Sequence, residues 1–309
     1  MTLHTDPAYT EISSGFVLKR QTTGSVICAS CGVLVGVNDD TCYNCGRRNP
    51  GMWGYAASLR ALGTDLGFVP FVIGACSILY GLTLLASGGQ IGMNGLFGFL
   101  SPSFEAMFLF GATGPGLVVE QETGQLWRWW TILSASWLHG SAIHILFNMM
   151  SVRQLAPAVA DLYGPGRMVI IYTAGGVAGF GLSVFWGLFL PAIPLLGSGR
   201  GITIGASACI TGLLGAIYYY GHRSGSSMAR SYATQSIIFV LIQGIFLGGI
   251  INNFAHGGGF IGGYIAARLL DPLKPERVDH IVIALACLGA SLLAVIASVL
   301  HGLQYFATP

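Results

Sequence analysis

The first 65 or so residues are polar and rich in turn-forming residues, whereas apolar windows follow one another from Phe68 almost to the C-terminus. Windows long enough to cross a hydrocarbon core of about 30 Å predict membrane-spanning helices. We predict seven spans, at approximately Phe68–Ala86, Ala142–Ala160, Met168–Leu190, Ile204–Gly221, Ala233–Ile251, Phe254–Leu270 and His280–Gly302. The fold class expected is therefore an all-α polytopic membrane protein.

Composition supports this pattern. The chain is 53% hydrophobic and 8% charged, whereas soluble domains carry roughly 25% charged residues, so a soluble class is excluded. The formal net charge of +2 gives no reason to expect a nucleic-acid partner. Many of the 46 glycines fall inside apolar runs, where small residues let transmembrane helices approach closely. A tightly packed helical bundle follows.

The positions of Lys and Arg predict the topology, because cytoplasmic loops carry the excess of positive charge. With the N-terminus inside, 11 of the 14 Lys and Arg residues precede the first span or fall in inner loops. Arg128 and Arg200 fall in outer segments, and Arg153 lies within the second span. We therefore expect a multi-pass protein of the cytoplasmic (plasma) membrane, with its N-terminus inside and its C-terminus outside.

One predicted outer connection, Ser87–Ser141, is unusually long. It contains an apolar stretch from Leu96 to Gly111 that Pro102 and Glu105 interrupt, so it is not a clean span. Loops of this length are commonly functional. We expect this one to lie partly in the outer leaflet as an interfacial element, although a disordered loop is the alternative.

The N-terminal segment contains two CxxC pairs with ten residues between them, each followed by a glycine: Cys28, Cys31, Gly32, Cys42, Cys45 and Gly46. Four thiolates at this spacing are typical of a closed tetrahedral zinc site, which has no open position for catalysis. A pair of disulfides and a redox CxxC are the alternatives. The reducing cytoplasm disfavours the first and the duplicated spacing the second. We predict a structural Zn²⁺ held by all four cysteines.

Polar side chains inside membrane spans are costly and therefore mark functional sites. Here they form a small set: His144 and Asn148 on the second span, Ser207 on the fourth, and Asn252, Asn253 and His256 at the start of the sixth. All three spans run from outside to inside in the predicted topology. Ser207, His256 and Asn148 lie roughly 5, 3 and 9 Å below the outer boundaries at ~1.5 Å per residue, so they share a depth.

Local patterns around these residues fit hydrolytic chemistry. His144 and Asn148 are four residues apart and project from one helix face. Ser207 lies at a predicted helix start, where free backbone amides favour negative charge. His256 is followed by Gly257, Gly258 and Gly259, which lets its helix contact that of Ser207. Each pattern alone is weak, since a lone intramembrane histidine is more often a packing residue; together they predict a nucleophile, a base and two donors.

These residues resemble the rhomboid intramembrane serine proteases. His144-Ile-Leu-Phe-Asn148 matches the HxxxN signature, Gly205-Ala-Ser207 the nucleophile motif, and Ala255-His256-Gly-Gly-Gly259 the histidine motif. Trp127-Arg128 resembles the WR pair of the family's long outer loop. The similarity covers roughly residues 68–270, and a seventh helix is typical of the six-plus-one variety.

The resemblance implies intramembrane proteolysis by a Ser-His dyad, with Ser207 as nucleophile and His256 as base, and no cofactor for catalysis. It implies His144, Asn148 and the Ser207 amide as oxyanion donors. The implied partners are transmembrane protein substrates and the lipid bilayer, and the partner of the zinc ribbon stays open. We expect three parts: a cytoplasmic segment at 1–65 with the ribbon at 25–50, a six-helix core at 66–272, and an additional helix at 273–309.

Two positions depart from the family pattern. Ala208 stands where glycine usually follows the serine, and Thr211 where an aromatic residue often supports the histidine. Two rival functions therefore remain in view. One is an inactive rhomboid-like protein that binds client helices. The other is a transporter, which the absence of an internal repeat disfavours.

Overall fold

The computed structural model describes residues 19–28, 31–60, 62–120, 123–193, 196, 199–247 and 251–307. Two hairpins pair β1 (Ser25–Ile27) with β2 (Leu34–Gly36), and β3 (Gly92–Asn94) with β4 (Gly98–Ser101). The α-helices are α1 Ala56–Arg60, α2 Phe68–Ala86, α3 Phe104–Phe110, α4 Pro115–Val118, α5 Thr131–Ser134, α6 Ala142–Tyr163, α7 Pro165–Phe189, α8 Ser207–Ser224, α9 Ser227–Phe246, α10 Asn253–Leu270 and α11 Val278–Ala307. Short 3₁₀ turns occur at Met52–Gly54 and Ala135–Trp137.

Seven long helices, α2 and α6 to α11, form where the seven spans were predicted, and the mostly helical fold is confirmed. Within the described residues, only α2, α7 and α11 are long and apolar enough to count as membrane spans by length and composition. The other four carry a larger share of polar residues, which lowers their mean hydropathy. Seven crossings therefore stay a prediction, and residues 1–18 and 248–250 of the predicted segments lie outside the described part.

The centre of the bundle is built from α7, α8 and α10, and glycine sets their separation. Gly212 of α8 lies between Gly175 of α7 and Gly263 of α10. A Cβ atom built on Gly212 would lie 2.8 Å from the Gly175 Cα atom, and one on Gly263 would overlap the Gly212 carbonyl. The backbones therefore approach as closely as the glycine-rich sequence predicts. This packing brings the N-terminal ends of α8 and α10 together.

The long connection between α2 and α6 is folded around a buried arginine. Arg128 is fully buried, its guanidinium carbon lies 3.8 Å from the centroid of the Phe108 ring, and its Nη2 donates to the Phe108 carbonyl at 2.6 Å. Burial lowers the pKa of Arg128 to about 10, so the side chain stays charged at neutral pH. The interrupted apolar stretch thus becomes the packed helix α3.

Helix α11 completes this region. Trp130 Nε1 donates to Ser298 Oγ at 3.1 Å, and the His301 ring lies 5.2 Å from the Trp127 ring, centroid to centroid. Gly302 packs against Leu109. The additional C-terminal helix therefore packs against the connection between α2 and α6 through its last turns.

Candidate active site and metal centre

Ser207 and His256 meet at the N-terminal ends of α8 and α10. The Ser207 Oγ atom lies 2.8 Å from the His256 Nε2 atom, which is hydrogen-bonding distance. Ser207 is half-buried, and His256 is only 7% exposed. The two residues, 49 positions apart in sequence, therefore lie at the separation that a serine nucleophile and its histidine base require.

The segment before Ser207 is extended, which is why α8 begins three residues later than the predicted fourth span. Thr203 pairs with Thr113 through two backbone hydrogen bonds of 2.8 and 3.3 Å. The Gly205 amide donates to the Ala135 carbonyl at 2.9 Å, and Gly205 has φ +116°. Glycine is favoured at such a φ. The turn places Ser207 at the first position of α8.

The two polar residues of α6 lie against the same turn. A Cβ atom built on Gly205 would lie 2.5 Å from His144 Nε2 and 3.4 Å from Asn148 Nδ2. The Asn148 Nδ2 atom is buried and has no hydrogen-bond partner in the described structure. Buried donors are normally satisfied, so an unpaired amide beside the nucleophile turn fits a site built to receive an acceptor oxygen.

The hydrogen bonds of His144 define which of its ring nitrogens donates. The Gly140 amide donates to His144 Nδ1 at 3.3 Å, so Nδ1 is an acceptor. In a neutral imidazole the other nitrogen then carries the proton. Nε2, which faces Gly205, is therefore a donor directed at the same turn. Ser141 accepts from the His144 amide at 3.3 Å and fixes the start of α6.

His256 has no acidic partner among the described residues. Its Nδ1 atom is buried and makes no hydrogen bond there. No hydrogen bond in the described part holds the ring from the Nδ1 side.

The two departures from the family pattern are packed without conflict. Ala208 is fully buried, and a Cβ atom built on Gly179 of α7 would lie 2.8 Å from the Ala208 methyl. The absence of a side chain at Gly179 provides the space for that methyl. Thr211 Oγ1 donates to the Ala208 carbonyl at 2.9 Å and lies against Gly259. Neither residue separates Ser207 from His256.

The four N-terminal cysteines converge, as their spacing predicts. None of the four forms a disulfide, and their sulfur atoms lie within 4.8 Å of one another. Cys28 Sγ lies 3.9 Å from Cys45 Sγ, and Cys31 Sγ lies 3.6 Å from Cys42 Sγ. Zinc–sulfur bonds of about 2.3 Å in a tetrahedron require sulfur separations of roughly 3.8 Å. The sulfur positions therefore fit a tetrahedral metal.

The two CxxC pairs and the glycine after each have the same backbone geometry. The Gly32 amide donates to the Cys28 carbonyl, and the Gly46 amide donates to the Cys42 carbonyl. The φ values of Gly32 and Gly46 are +78° and +69°, a region that favours glycine. A glycine therefore follows each CxxC pair at a position where the backbone has a positive φ.

A buried ion pair attaches the cysteine ribbon to the helical bundle, and no sequence pattern had singled it out. Arg47 Nη1 lies 3.5 Å from Glu276 Oε2, and each side chain is at most 2% exposed. Glu276 Oε1 accepts from the Arg167 amide at 3.0 Å, at the start of α7. Burial raises the pKa of the Glu276 carboxyl. The only sign of this attachment in the sequence was the presence of charged residues near Gly164-Pro165 and Pro275.

Arg167 completes the attachment. Its Nη1 atom donates to the carbonyls of Leu270, Asp271 and Lys274 at 2.9 to 3.0 Å. These carbonyls lie at or just beyond the C-terminal end of α10, whereas His256 is near its N-terminal end. At 1.5 Å per residue, the 14 residues between His256 and Leu270 correspond to about 21 Å. The ribbon and the Ser–His pair therefore occupy opposite ends of the bundle.

Comparison with known proteins finds similarity in the helical core. Residues 126–272 match the family model of the rhomboid domain. The rhomboid protease GluP of Bacillus subtilis is 31% identical over 172 residues, which cover 55% of this chain and 30% of that protein. RHOMBOID-like protein 7 of Arabidopsis thaliana is 32% identical over 181 residues, 55% of this chain and 50% of that protein.

Another plant relative bears on activity. The inactive RHOMBOID-like protein 8 of Arabidopsis thaliana is 32% identical over 143 residues, which cover 45% of this chain and 37% of that protein. The chain thus spans half or less of the length of these relatives. The matched region contains both ends of the helical core, with the Ser–His pair at one end and Arg167 at the other. The chain therefore carries a rhomboid domain at residues 126–272.

Proposed function

We propose that this chain is an intramembrane serine endopeptidase that cuts peptide bonds in or near transmembrane segments of other proteins. The observation that carries the proposal is the 2.8 Å contact between Ser207 Oγ and His256 Nε2, next to two donors on α6. Rhomboid proteases act on transmembrane proteins within the bilayer, and the family assignment supports the same substrate class here.

In this mechanism the His256 Nε2 atom accepts the hydroxyl proton as Ser207 Oγ attacks the scissile carbonyl carbon. The same proton then passes to the leaving amine, which departs and leaves an acyl ester on Ser207. Water, deprotonated by His256, attacks the ester and releases the new carboxyl group. Proton transfer of this kind contributes typically 10²- to 10⁴-fold.

The carbonyl oxygen becomes negatively charged during attack. His144 Nε2, Asn148 Nδ2 and the backbone amide of Ser207 would donate to it. Asn148 supports this role because its amide nitrogen is buried without a protein partner, so no hydrogen bond has to break before the oxyanion binds. Such preorganised donors are often the largest single contribution to catalysis.

The cysteine ribbon would hold a structural Zn²⁺ through Cys28, Cys31, Cys42 and Cys45. The sulfur separations support tetrahedral coordination by four thiolates, and a four-thiolate site supplies folding energy without an open coordination position. The positive-inside pattern supports a cytoplasmic ribbon and a dyad that opens towards the outer face. Residues 1–65, 66–272 and 273–309 would then be the ribbon segment, the catalytic core and the additional helix.

Cleavage of a reporter with one transmembrane helix tests the proposal. Wild-type protein and the Ser207→Ala variant are reconstituted with the reporter in liposomes, and fragments are followed by mass spectrometry. We expect cleavage by wild type and none by Ser207→Ala at equal expression. Cleavage by the alanine variant would contradict the proposal. Ser151→Ala on α6 is the matched control, because its hydroxyl bonds only to the Phe147 carbonyl of its own helix.

The second candidate is a rhomboid-like protein that binds client helices without cutting them. The relative named inactive, at 32% identity, is the observation that favours it. This candidate predicts that wild type binds the reporter and leaves it intact, and that Ser207→Ala binds it equally. A reporter cut by wild type would exclude it.

A further inference from the structure

We propose that Asn252 is a positioning residue, which sets the register of His256 against Ser207 by joining α10, α7 and the segment that leads into α8. This inference rests on the proposed protease function and adds a residue to its machinery. The resemblance to known proteases assigns Asn252 no role.

All four polar contacts of the Asn252 side chain agree with one orientation of its amide. Oδ1 accepts from the amides of Phe254 and Ala255, both at 3.1 Å, and so caps α10. Nδ2 donates to Ser183 Oγ at 2.6 Å and to Thr203 Oγ1 at 2.7 Å. An amide has two donor hydrogens and one acceptor oxygen with two lone pairs. Its hydrogen-bonding capacity is therefore fully used.

The hydrogen bond between Asn252 and Thr203 joins two residues that each precede a reactive residue by the same number of positions. Asn252 precedes His256 by four residues, and the His256 amide donates to the Asn252 carbonyl at 3.2 Å. Thr203 precedes Ser207 by four residues, and its backbone is fixed by the pairing with Thr113. A displacement of Thr203 relative to Asn252 would therefore shift the nucleophile relative to the base.

Helix α7 serves as the common support. Ser183 is 1% exposed and lies one turn after Gly179 on the same helix face. Gly179 in turn packs against both Ala208, next to Ser207, and Ala255, next to His256. The hydrogen bond from Asn252 to Ser183 thus connects the start of α10 to the helix that contacts both flanking residues.

His256 has particular need of such a support. Its Nδ1 atom has no hydrogen-bond partner in the described structure, so no carboxylate holds the ring in place. The position of the helix start must then define the position of Nε2. Displacement of a reacting group by about 1 Å can reduce a rate by roughly 100-fold.

Asparagine suits the positioning role at position 252 better than other residues that can cap a helix. Serine or threonine at position 252 would cap α10 but would not reach both hydroxyls. Aspartate would reach them but would bring a negative charge to a half-buried position beside the site. Asparagine provides the cap and two neutral donors on one short side chain.

The test compares Thr203→Val with Thr203→Ser. Valine has nearly the shape of threonine but lacks the hydroxyl, and neither change touches the α10 cap. The probe is a fluorescent fluorophosphonate. In the reaction Ser207 Oγ bonds to phosphorus, fluoride leaves, and His256 takes the hydroxyl proton. The first-order rate kinact and the apparent affinity KI are measured separately on full-length protein in liposomes.

We expect kinact to fall between roughly 10- and 100-fold in Thr203→Val, with KI within about twofold of wild type. Thr203→Ser should recover most of that rate. Ser183→Ala, which removes the other acceptor, should lower kinact in the same direction and serves if Thr203→Val does not fold. Asn252→Ala combined with Thr203→Val should be no slower than Asn252→Ala alone, because one connection is lost in both.

A purely structural role gives a different result. If Asn252 only capped α10, Asn252→Ala would lower the melting temperature, while Thr203→Val and Ser183→Ala would keep the wild-type kinact. That result would overturn the positioning role. Ser207→Ala separates this failure from failure of the proposed function: labelling that persists in Ser207→Ala overturns both, whereas labelling lost in Ser207→Ala but unaffected by Thr203→Val overturns the positioning role alone.

Discussion

The two ends of the helical bundle bury different kinds of polar group. At the ribbon end, Glu276 contacts Arg47 and the start of α7, and Arg167 Nη1 donates to three backbone carbonyls. At the Ser207 end, two unpaired buried atoms of the described structure, Asn148 Nδ2 and His256 Nδ1, belong to neutral side chains. At the ribbon end Arg47 Nε and Arg167 Nε are also unpaired, but other nitrogens of both guanidinium groups are bonded. Buried polar groups are costly when unpaired. The ribbon end therefore joins chain segments through charged groups, and the free donor of Asn148 supports the reaction proposed for the other end.

Substitutions at the two ends should therefore have different consequences. Changes at the ribbon end should reduce stability or metal content. They should leave the cleavage rate of the protein that remains folded unchanged. Removal of a donor beside Ser207, such as Asn148, should reduce the rate with little loss of stability.

Loss of one metal ligand should have the largest effect. Cys42→Ser removes a buried thiolate, and structural zinc in small ribbons contributes about 10–16 kcal/mol of apparent binding free energy. We expect wild type to contain one Zn²⁺ per chain by elemental analysis and the variant to contain almost none. Cys287→Ser, in α11 and outside the cluster, is the control and should keep the metal. Equal zinc contents in Cys42→Ser and wild type would contradict the four-cysteine site.

Removal of the buried carboxylate should release the ribbon. Glu276→Ala leaves Arg47 as an unpaired buried charge, which costs about 3–5 kcal/mol. We expect a lower melting temperature and faster trypsin cleavage within residues 19–60. Asp279→Ala is the control, because the Asp279–Arg277 pair is exposed and such pairs contribute little. If the two variants were cleaved equally slowly, the ion pair would not hold the ribbon.

Removal of an oxyanion donor should affect rate alone. Asn148→Ala should lower the turnover of the reporter by about 10²- to 10³-fold. Its melting temperature should stay near that of wild type, since the amide nitrogen bonds to no protein group in the described structure. A variant with full turnover would show that Asn148 contacts no developing charge.

The smallest effect is expected at a position where the chain departs from its family. Ala208→Gly restores the usual residue but removes a methyl that packs against Gly179. We expect a loss of about 0.5–1 kcal/mol in stability, the usual cost of alanine to glycine in a helix, and a change in turnover of less than about threefold. A large gain in turnover would mean that the methyl hinders Ser207.

Hydropathy, glycine content and short motifs predicted much of this molecule. The apolar windows located all seven long helices, and the CxxC spacing predicted the converging thiols, because both signals are local in sequence. The approach of Ser207 to His256 also agreed with their motifs. These patterns predicted the individual helices and which residue types come together in the fold.

Contacts between distant polar residues were not predicted. Arg47 and Glu276 are 229 residues apart, and a single charge at a loop carries no periodic signal. Asn252 was noted as a polar residue in a span, but its partners Ser183 and Thr203 are ordinary hydroxyl residues. The late start of α8 depends on the pairing of Thr203 with Thr113, which hydropathy does not encode.

Site mapping of fluorophosphonate labelling tests the central claim most directly. Wild type, Ser207→Ala and His256→Ala are labelled in liposomes, digested and mapped by mass spectrometry. The Ser–His pair predicts one adduct, on Ser207, that is absent from Ser207→Ala and forms far more slowly in His256→Ala. An unlabelled wild type, or an adduct that forms equally fast without His256, would contradict the protease mechanism.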